Sequence, residues 1–200
     1  MMQPMLLRRM SKVVKLGIAA AKSALKDAGI EKPDLITTGT AYGCLADTEN
    51  FLQKMITQEE TLLTPTAFIQ STHNTVSGQI ALLLNCHGHN FTYVQRGHSF
   101  ESSLQESMLW LAENDQLNIL SGGIDEMTQH SFEIISRFGT YKKEQDHYAT
   151  PSAGCMAGEG ANLFVLNTHK TDRTYAELAD LKMCYSDQAA DSLVQFLEEN

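Results

Sequence analysis

The chain has 200 residues, with 15 basic and 24 acidic side chains and a formal net charge of −9. At 42% hydrophobic and 20% charged it is too apolar for a disordered chain and long enough to bury a core without disulfides or metal. The acidic balance argues against a broad grip on nucleic acid or anionic membrane, and no apolar run approaches the roughly 20 residues that span a bilayer. In the N-terminal stretch MMQPMLLRRMSK the basic residues follow the apolar patch, which is not the order of a secretory signal. The expected compartment is the cytoplasm. Cys44, Cys86, Cys155 and Cys184 are widely spaced and form no C-x-x-C pair, so they read as reduced core or loop thiols. With four prolines and no low-complexity tract, the chain reads as one domain over 1–200.

In chain order, residues 10–28 predict a helix. Val14, Ile18, Ala21, Leu25 and Ala28 recur at spacings of four and three, and Gly29 supplies the stop. Asp34–Thr40 is short and β-branched and predicts a strand, followed by the small-residue loop 39–43. Asp47 is placed to cap a second helix carrying Phe51, Leu52, Met55 and Ile56. Thr64-Pro65 marks a break, and the polar cluster 71–75 reads as a helix entry before Ile80–Leu84.

Asn90–Gln95 predicts a strand, turned by Arg96-Gly97-His98-Ser99 into a helix over Phe100–Glu113 with Leu104, Met108 and Leu111 on one side. Leu117–Leu120 predicts a strand closed by Ser121-Gly122-Gly123, with close backbone packing the reading for the glycines. The stretch 139–160 is loop-rich. Ala161–Leu166 and Thr174–Met183 read as strands and Asp187–Leu197 as a helix. Strands alternating with helices imply an α/β layered fold with a mostly parallel sheet.

The strand–turn–helix at Phe91–Leu104 is the best candidate for chemistry. Such a turn exposes one residue where helix N–H groups and the positive dipole end converge, suited to a nucleophile and an oxyanion hole. Ser99, the candidate hydroxyl, reads as a helix cap. Cys86-His87-x-His89 fits no common zinc spacing and reads as a polar loop. His73 reads as a loop or cap residue, and Cys155, among glycines, as an inert thiol. The glycines from Gly154 to Gly160 lack the Gly-Lys-Ser/Thr ending of a phosphate loop.

Taken in order, several stretches resemble the N-terminal half of a β-ketoacyl synthase of the thiolase superfamily. They are Arg8-Arg9-Met10-Ser11-Lys12 with the alanine-rich helix to Gly29, then Thr64–Phe68 with Ser71–Gln79, and Gly88-His89-Asn90-Phe91-Thr92. Ser121–Glu126, Gly158-Glu159-Gly160 with Leu163–Leu166, and Tyr175–Leu178 follow. The segments STHNT and HSFES are most similar to synthase-like proteins of bacterial pigment and aryl-polyene pathways. The resemblance implies a thiolase-like layered α/β/α fold, N-terminal half only, with the helix after the turn buried between sheet layers and Phe91–Gln95 a central strand. It implies condensation of acyl and malonyl-type thioesters in fatty acid or polyketide elongation. The acyl groups arrive on the phosphopantetheine of acyl carrier protein, with no other cofactor and no metal.

The departures carry as much. Counted from Gly88-x-Asn90, the family's nucleophilic cysteine falls on Gly97, and His98 and Ser99 are the nearest functional groups. The first strand, and the C-terminal half that carries the family's two catalytic histidines, are absent from the 200 residues. Three readings follow: a non-catalytic, chain-length-factor-like partner; an active synthase subunit that uses an unorthodox residue or a completing chain; and a truncated homologue without activity. The resemblance also implies dimerisation through the strand containing Phe91, Thr92, Tyr93 and Val94. The dimer is either a homodimer or a heterodimer with a full-length synthase.

Overall fold

The computed structural model describes residues 10–142, 152–185 and 189–199. Arg8 and Arg9 of the N-terminal motif, and part of the loop-rich stretch, lie outside them. The chain divides into two compact units, Met1–Thr168 and His169–Asn200.

The first unit is built on a four-stranded sheet in the order β2-β1-β3-β4. Its strands are β1 (Leu35–Gly39), β2 (Asn90–Tyr93), β3 (Ile119–Asp125) and β4 (Gly160–Leu166). β1 pairs in parallel with β2 and β3, and β4 joins β3 antiparallel, with Asp125 opposite Gly160. That register carries β3 through Ser121-Gly122-Gly123, where sequence reading had expected the strand to close. Seven paired positions outweigh the weak strand preference of glycine.

α1 (Lys12–Ala28) buries Val14, Ile18, Ala21 and Leu25, the stripe that its periodicity predicts, and ends at Gly29 with φ 74°. With α4 (Thr75–Leu84) it covers one face of the sheet. There Val13, Val14, Ile18, Val76 and Ile80 meet Ile36, Leu120, Ile124 and Leu163 in a single apolar cluster. Each fully buried aliphatic side chain in it contributes on the order of 1.5–3 kcal/mol.

The opposite face carries α5 (Ser99–Glu113), which begins one residue earlier than its pattern suggests. It does not turn Leu104, Met108 and Leu111 to the sheet. Its buried residues are Ser99, Ser102, Ser103 and Ser107. The Ser107 hydroxyl lies 2.8 Å from that of Thr37, and Ser103 3.4 Å from Ser121. Small residues on both sides let helix and strand approach closely. A Cβ on Gly39 would stand 2.2 Å from the Ser99 carbonyl oxygen. The described residues hold one sheet, so α5 is covered on one side, and Leu109 on its outer side is 58% exposed. The expected burial between two sheet layers is therefore corrected, because the described residues supply no second sheet to cover it.

Three further elements complete the unit: α2 (Leu45–Thr57), α3 (Pro65–Gln70) and α6 (Gln129–Ser136). Cys44, not Asp47, occupies the N-cap of α2. Asp47 sits in the first turn, where its charge still favours the helix dipole. α6 escaped sequence reading, although its signal is present. Thr128 accepts from the Ser131 amide and Ser131 Oγ accepts from the Thr128 amide, a reciprocal capping box.

In the second unit, α7 (Ala189–Glu199) matches the predicted C-terminal helix, whose first two positions lie outside the described residues. Thr174–Met183 is not a strand. Its composition suits an extended chain, but no neighbouring strand supplies hydrogen bonds.

Candidate active-site turn

Among the described residues β2 is an edge strand, paired only with β1, and not a central one. Two features of Gly88-His89-Asn90 set its entry. A Cβ at Gly88 would fall 1.9 Å from the Asp34 carbonyl oxygen, so only glycine passes there. The Asn90 side chain donates to the Ser77 carbonyl at 3.0 Å, tying the strand to α4. Inside the sheet, Thr92 lies within 2.8 Å of Ser77 Oγ and 3.1 Å of Thr38 Oγ1.

After Tyr93 the chain turns through a 3₁₀ segment, Arg96–His98, into α5. Arg96 takes a left-handed conformation, φ 54°, unusual for a residue with a side chain. Ser99 is 3% exposed. Its hydroxyl accepts from the Gln95 amide at 2.8 Å and has the carbonyls of Thr40 at 2.9 Å and Arg96 at 2.7 Å for its one proton. The cap position of α5 belongs to His98, so Ser99 does not cap the helix. It fastens the turn to the end of β1. Buried and committed to backbone groups, it is poorly placed to attack a thioester.

Gly97 is different. A Cβ added there would meet nothing within 4 Å, and its φ lies outside the left-handed range. The turn has space for an ordinary L residue at the N-terminus of a 15-residue helix. It presents no reactive atom at that point.

The strand's outer face bears Phe91, 37% exposed, which stacks with His89 at 5.6 Å between ring centroids. His89 also packs 4.5 Å from Trp110. Burial, reinforced by a hydrogen bond to Glu106, raises the Tyr93 phenol to about 12. His87 lies 2.8 Å from the Asn85 side chain. His87 and His89 thus engage different neighbours, and among the described residues no three His, Cys, Asp or Glu side chains gather as a metal site. His73 is exposed and packs against Gly43. Cys155 is exposed, with its thiol 3.3 Å from the Thr140 carbonyl, and all four cysteines are free.

Beside the turn, the loop after β1 is held to the end of β3. Asp125 accepts from the Thr40 hydroxyl at 2.9 Å and from the amides of Ala41 and Tyr42 at 2.9 and 3.1 Å. Next to it Glu126 lines a cavity of about 210 Å³ with Tyr42, Met127 and Tyr141. In the sequence Asp125 and Glu126 stand out only as the end of the Ser121–Glu126 stretch that carries the resemblance. Their role depends on a loop 84 residues away. No described helix is long and apolar enough to cross a membrane.

The family model "Beta-ketoacyl synthase, N-terminal domain" matches residues 1–172. No curated protein matches the chain. Solved structures do. The ketosynthase (ApeO) in complex with its chain length factor (ApeC) from Xenorhabdus doucetiae shares 19% identity, with a TM-score of 0.61, over 84% of this chain and 63% of that one. A beta-ketoacyl synthase from Burkholderia phymatum STM815 shares 20%, with a TM-score of 0.71, over 84% of this chain and 44% of that one. The ishigamide ketosynthase/chain length factor shares 18%, with a TM-score of 0.62, over 80% and 44%. At these identities the structures establish the shared fold, and this chain spans less than two thirds of each. The mixed sheet with helices on both faces is the thiolase-like α/β arrangement, and the chain belongs to the beta-ketoacyl synthase family, as its N-terminal domain.

Proposed function

We propose that this chain is a non-catalytic, chain-length-factor-like partner in fatty acid- or polyketide-type chain elongation. The observation that supports the reading is Gly97, where the resemblance expects the nucleophile: a Cβ there would stand in open space, but glycine offers no reactive atom. Condensation by this family needs a thiolate that both attacks and leaves. Ser99 offers no substitute, since its hydroxyl is buried and spent on backbone groups. The partner would be a full-length synthase, or a second copy of this chain, paired along the β2 edge at Phe91, Thr92 and Tyr93 and at Val94, which follows the strand. That edge supports the reading because no strand lies beyond it among the described residues, and a two-fold contact would satisfy its outward N–H and C=O groups reciprocally. Acyl groups would come on the phosphopantetheine of acyl carrier protein, in the cytoplasm. Two similar structures, each of a ketosynthase with a chain length factor, also favour this class.

The test is co-expression with a full-length ketosynthase, followed by purification and a condensation assay with acyl-loaded carrier protein. The expected result is a stable complex whose product length changes when this chain is present. Intact-mass analysis of this chain should show no acyl adduct. An adduct on the unmodified chain, or condensation by it alone, would overturn the reading in favour of an active subunit. No complex and no effect on product would favour a homologue without activity.

A further inference from the structure

The cavity of about 210 Å³ beside Glu126 opens where β1 and β3, a parallel pair, reach their C-terminal ends. Crevices at such strand ends are where layered α/β sheets bind ligands. Pockets for drug-sized molecules run to roughly 300–1,000 Å³, so this one suits a single group of side-chain size and not a whole cofactor. Its lining holds two carboxylates, Asp125 and Glu126, two phenol rings, Tyr42 and Tyr141, and two thioethers, Met127 and Met156. Among the described residues no basic side chain lines it.

The two carboxylates differ in what they have left to give. Asp125 is committed to the loop after β1, accepting the Thr40 hydroxyl and the amides of Ala41 and Tyr42. Glu126 is only 5% exposed, and its one hydrogen bond among the described residues is from the Ala46 amide to Oε1 at 3.0 Å. A carboxylate accepts about four such bonds, so most of its capacity is unused. The ammonium that acts on it, Lys12, is engaged in an ion pair with Glu159. Burial raises the Glu126 carboxyl above the ordinary range, and the Asp47 and Glu159 charges push it the same way. An acid so placed gains from an added cation, which supplies the missing donors and offsets the like charges. Tyrosine rings are surroundings that favour a desolvated cation.

We propose that this cavity binds one alkylammonium group, which pairs with the Glu126 carboxylate. The charged end takes the unused acceptor capacity of Glu126, and the apolar stem lies against the thioethers of Met127 and Met156. The group arrives either as a free small amine or as a lysine side chain of a partner protein. None of the lining residues belongs to the turn at Gly97 or to the β2 edge, so the site stands or falls separately from the partnering role.

The test is an NMR titration of the full chain carrying methyl-labelled methionine, at pH 7.5. n-Butylammonium should shift the methyl signals of Met127 and Met156 saturably and leave that of Met108, in α5, in place. 1-Butanol, of the same size without the charge, and butyrate, of opposite charge, should produce no saturable shift. E126Q keeps an acceptor for the Ala46 amide and should weaken butylammonium binding by about tenfold or more, the loss of one charge-assisted partner. Y42L, at a half-exposed position, should weaken it by about two- to fivefold, the share of one cation–π contact. An acetylated and amidated Gly-Lys-Gly peptide separates the two sources. Shifts at the same two methyls assign the site to a partner's lysine, and silence from the peptide alone assigns it to a free amine. No saturable shift with butylammonium overturns the proposal. So do equal shifts with 1-butanol, or unchanged affinity in either variant.

Discussion

The hydroxyl of Ser99 lies 2.9 Å from the carbonyl oxygen of Thr40, 59 residues earlier, and joins the first residue of α5 to the end of β1. The same hydroxyl takes the Gln95 amide, so one small side chain fixes strand, turn and helix together. Removing it as S99A leaves a buried amide without its acceptor. The expected loss is about 1–3 kcal/mol, read as a lower urea midpoint at unchanged slope. An unaltered midpoint would show that water or a shifted backbone replaces the bond.

The approach of β1 to α5 has no slack at Gly39. Its nearest obstacle would be the Ser99 backbone, 2.2 Å from an added Cβ. G39A should therefore cost at least about 1–3 kcal/mol, the range for overpacked sites, because a backbone cannot rotate aside. Thermal unfolding provides the measurement, and a neutral result would contradict the geometry.

Gly97 predicts the reverse. G97C should fold with wild-type stability, since the added Cβ has open space around it. The new thiol sits at the N-terminal end of α5, where the dipole favours a thiolate. Iodoacetamide labelling at pH 7 with peptide mapping should modify position 97 faster than Cys155. Buried Cys44 should stay unlabelled. Slower labelling at 97 than at Cys155 would mean the turn no longer activates a nucleophile.

The thiol of Cys44 also links stability to alkaline pH. Its ordinary value is 9.0 and burial raises it to about 12, so the unfolded chain releases its proton first. The contribution of Cys44 is constant below pH 9 and is lost as pH rises from there toward 12. Urea midpoints at pH 8 and 10 should fall further for the wild type than for C44A. Equal falls would assign the alkaline loss to other groups.

The β2 edge is open to an association test. Phe91 is partly exposed, so F91K should leave the fold intact while placing a charge on the edge. Light scattering at micromolar concentration should show a weaker homodimer, or a pull-down a weaker complex with a full-length synthase. Unchanged association would place the contact elsewhere.

Local pattern alone determined α1. Its apolar stripe has only to face one side, and Gly29 ends it whatever lies around it. The turn at Gly97 was likewise legible, because strand formers, small turn residues and a helix stand in consecutive order. What tertiary structure decided is which surface each element uses. α5 carries both a leucine side and a serine side, and hydrophobic periodicity favours the leucines. The sheet decided otherwise, because Thr37, Gly39 and Ser121 leave room only for Ser99, Ser103 and Ser107 at close range. Strand order is equally non-local. Phe91–Tyr93 reads as a strand in any position, and only pairing with β1 alone makes it an edge. Thr174–Met183 has the composition of a strand without one, since a strand exists only through a partner's hydrogen bonds. The bond from Ala46 to Glu126 joins residues 80 positions apart. No window of sequence contains both, so its chemistry becomes visible only once the chain has folded.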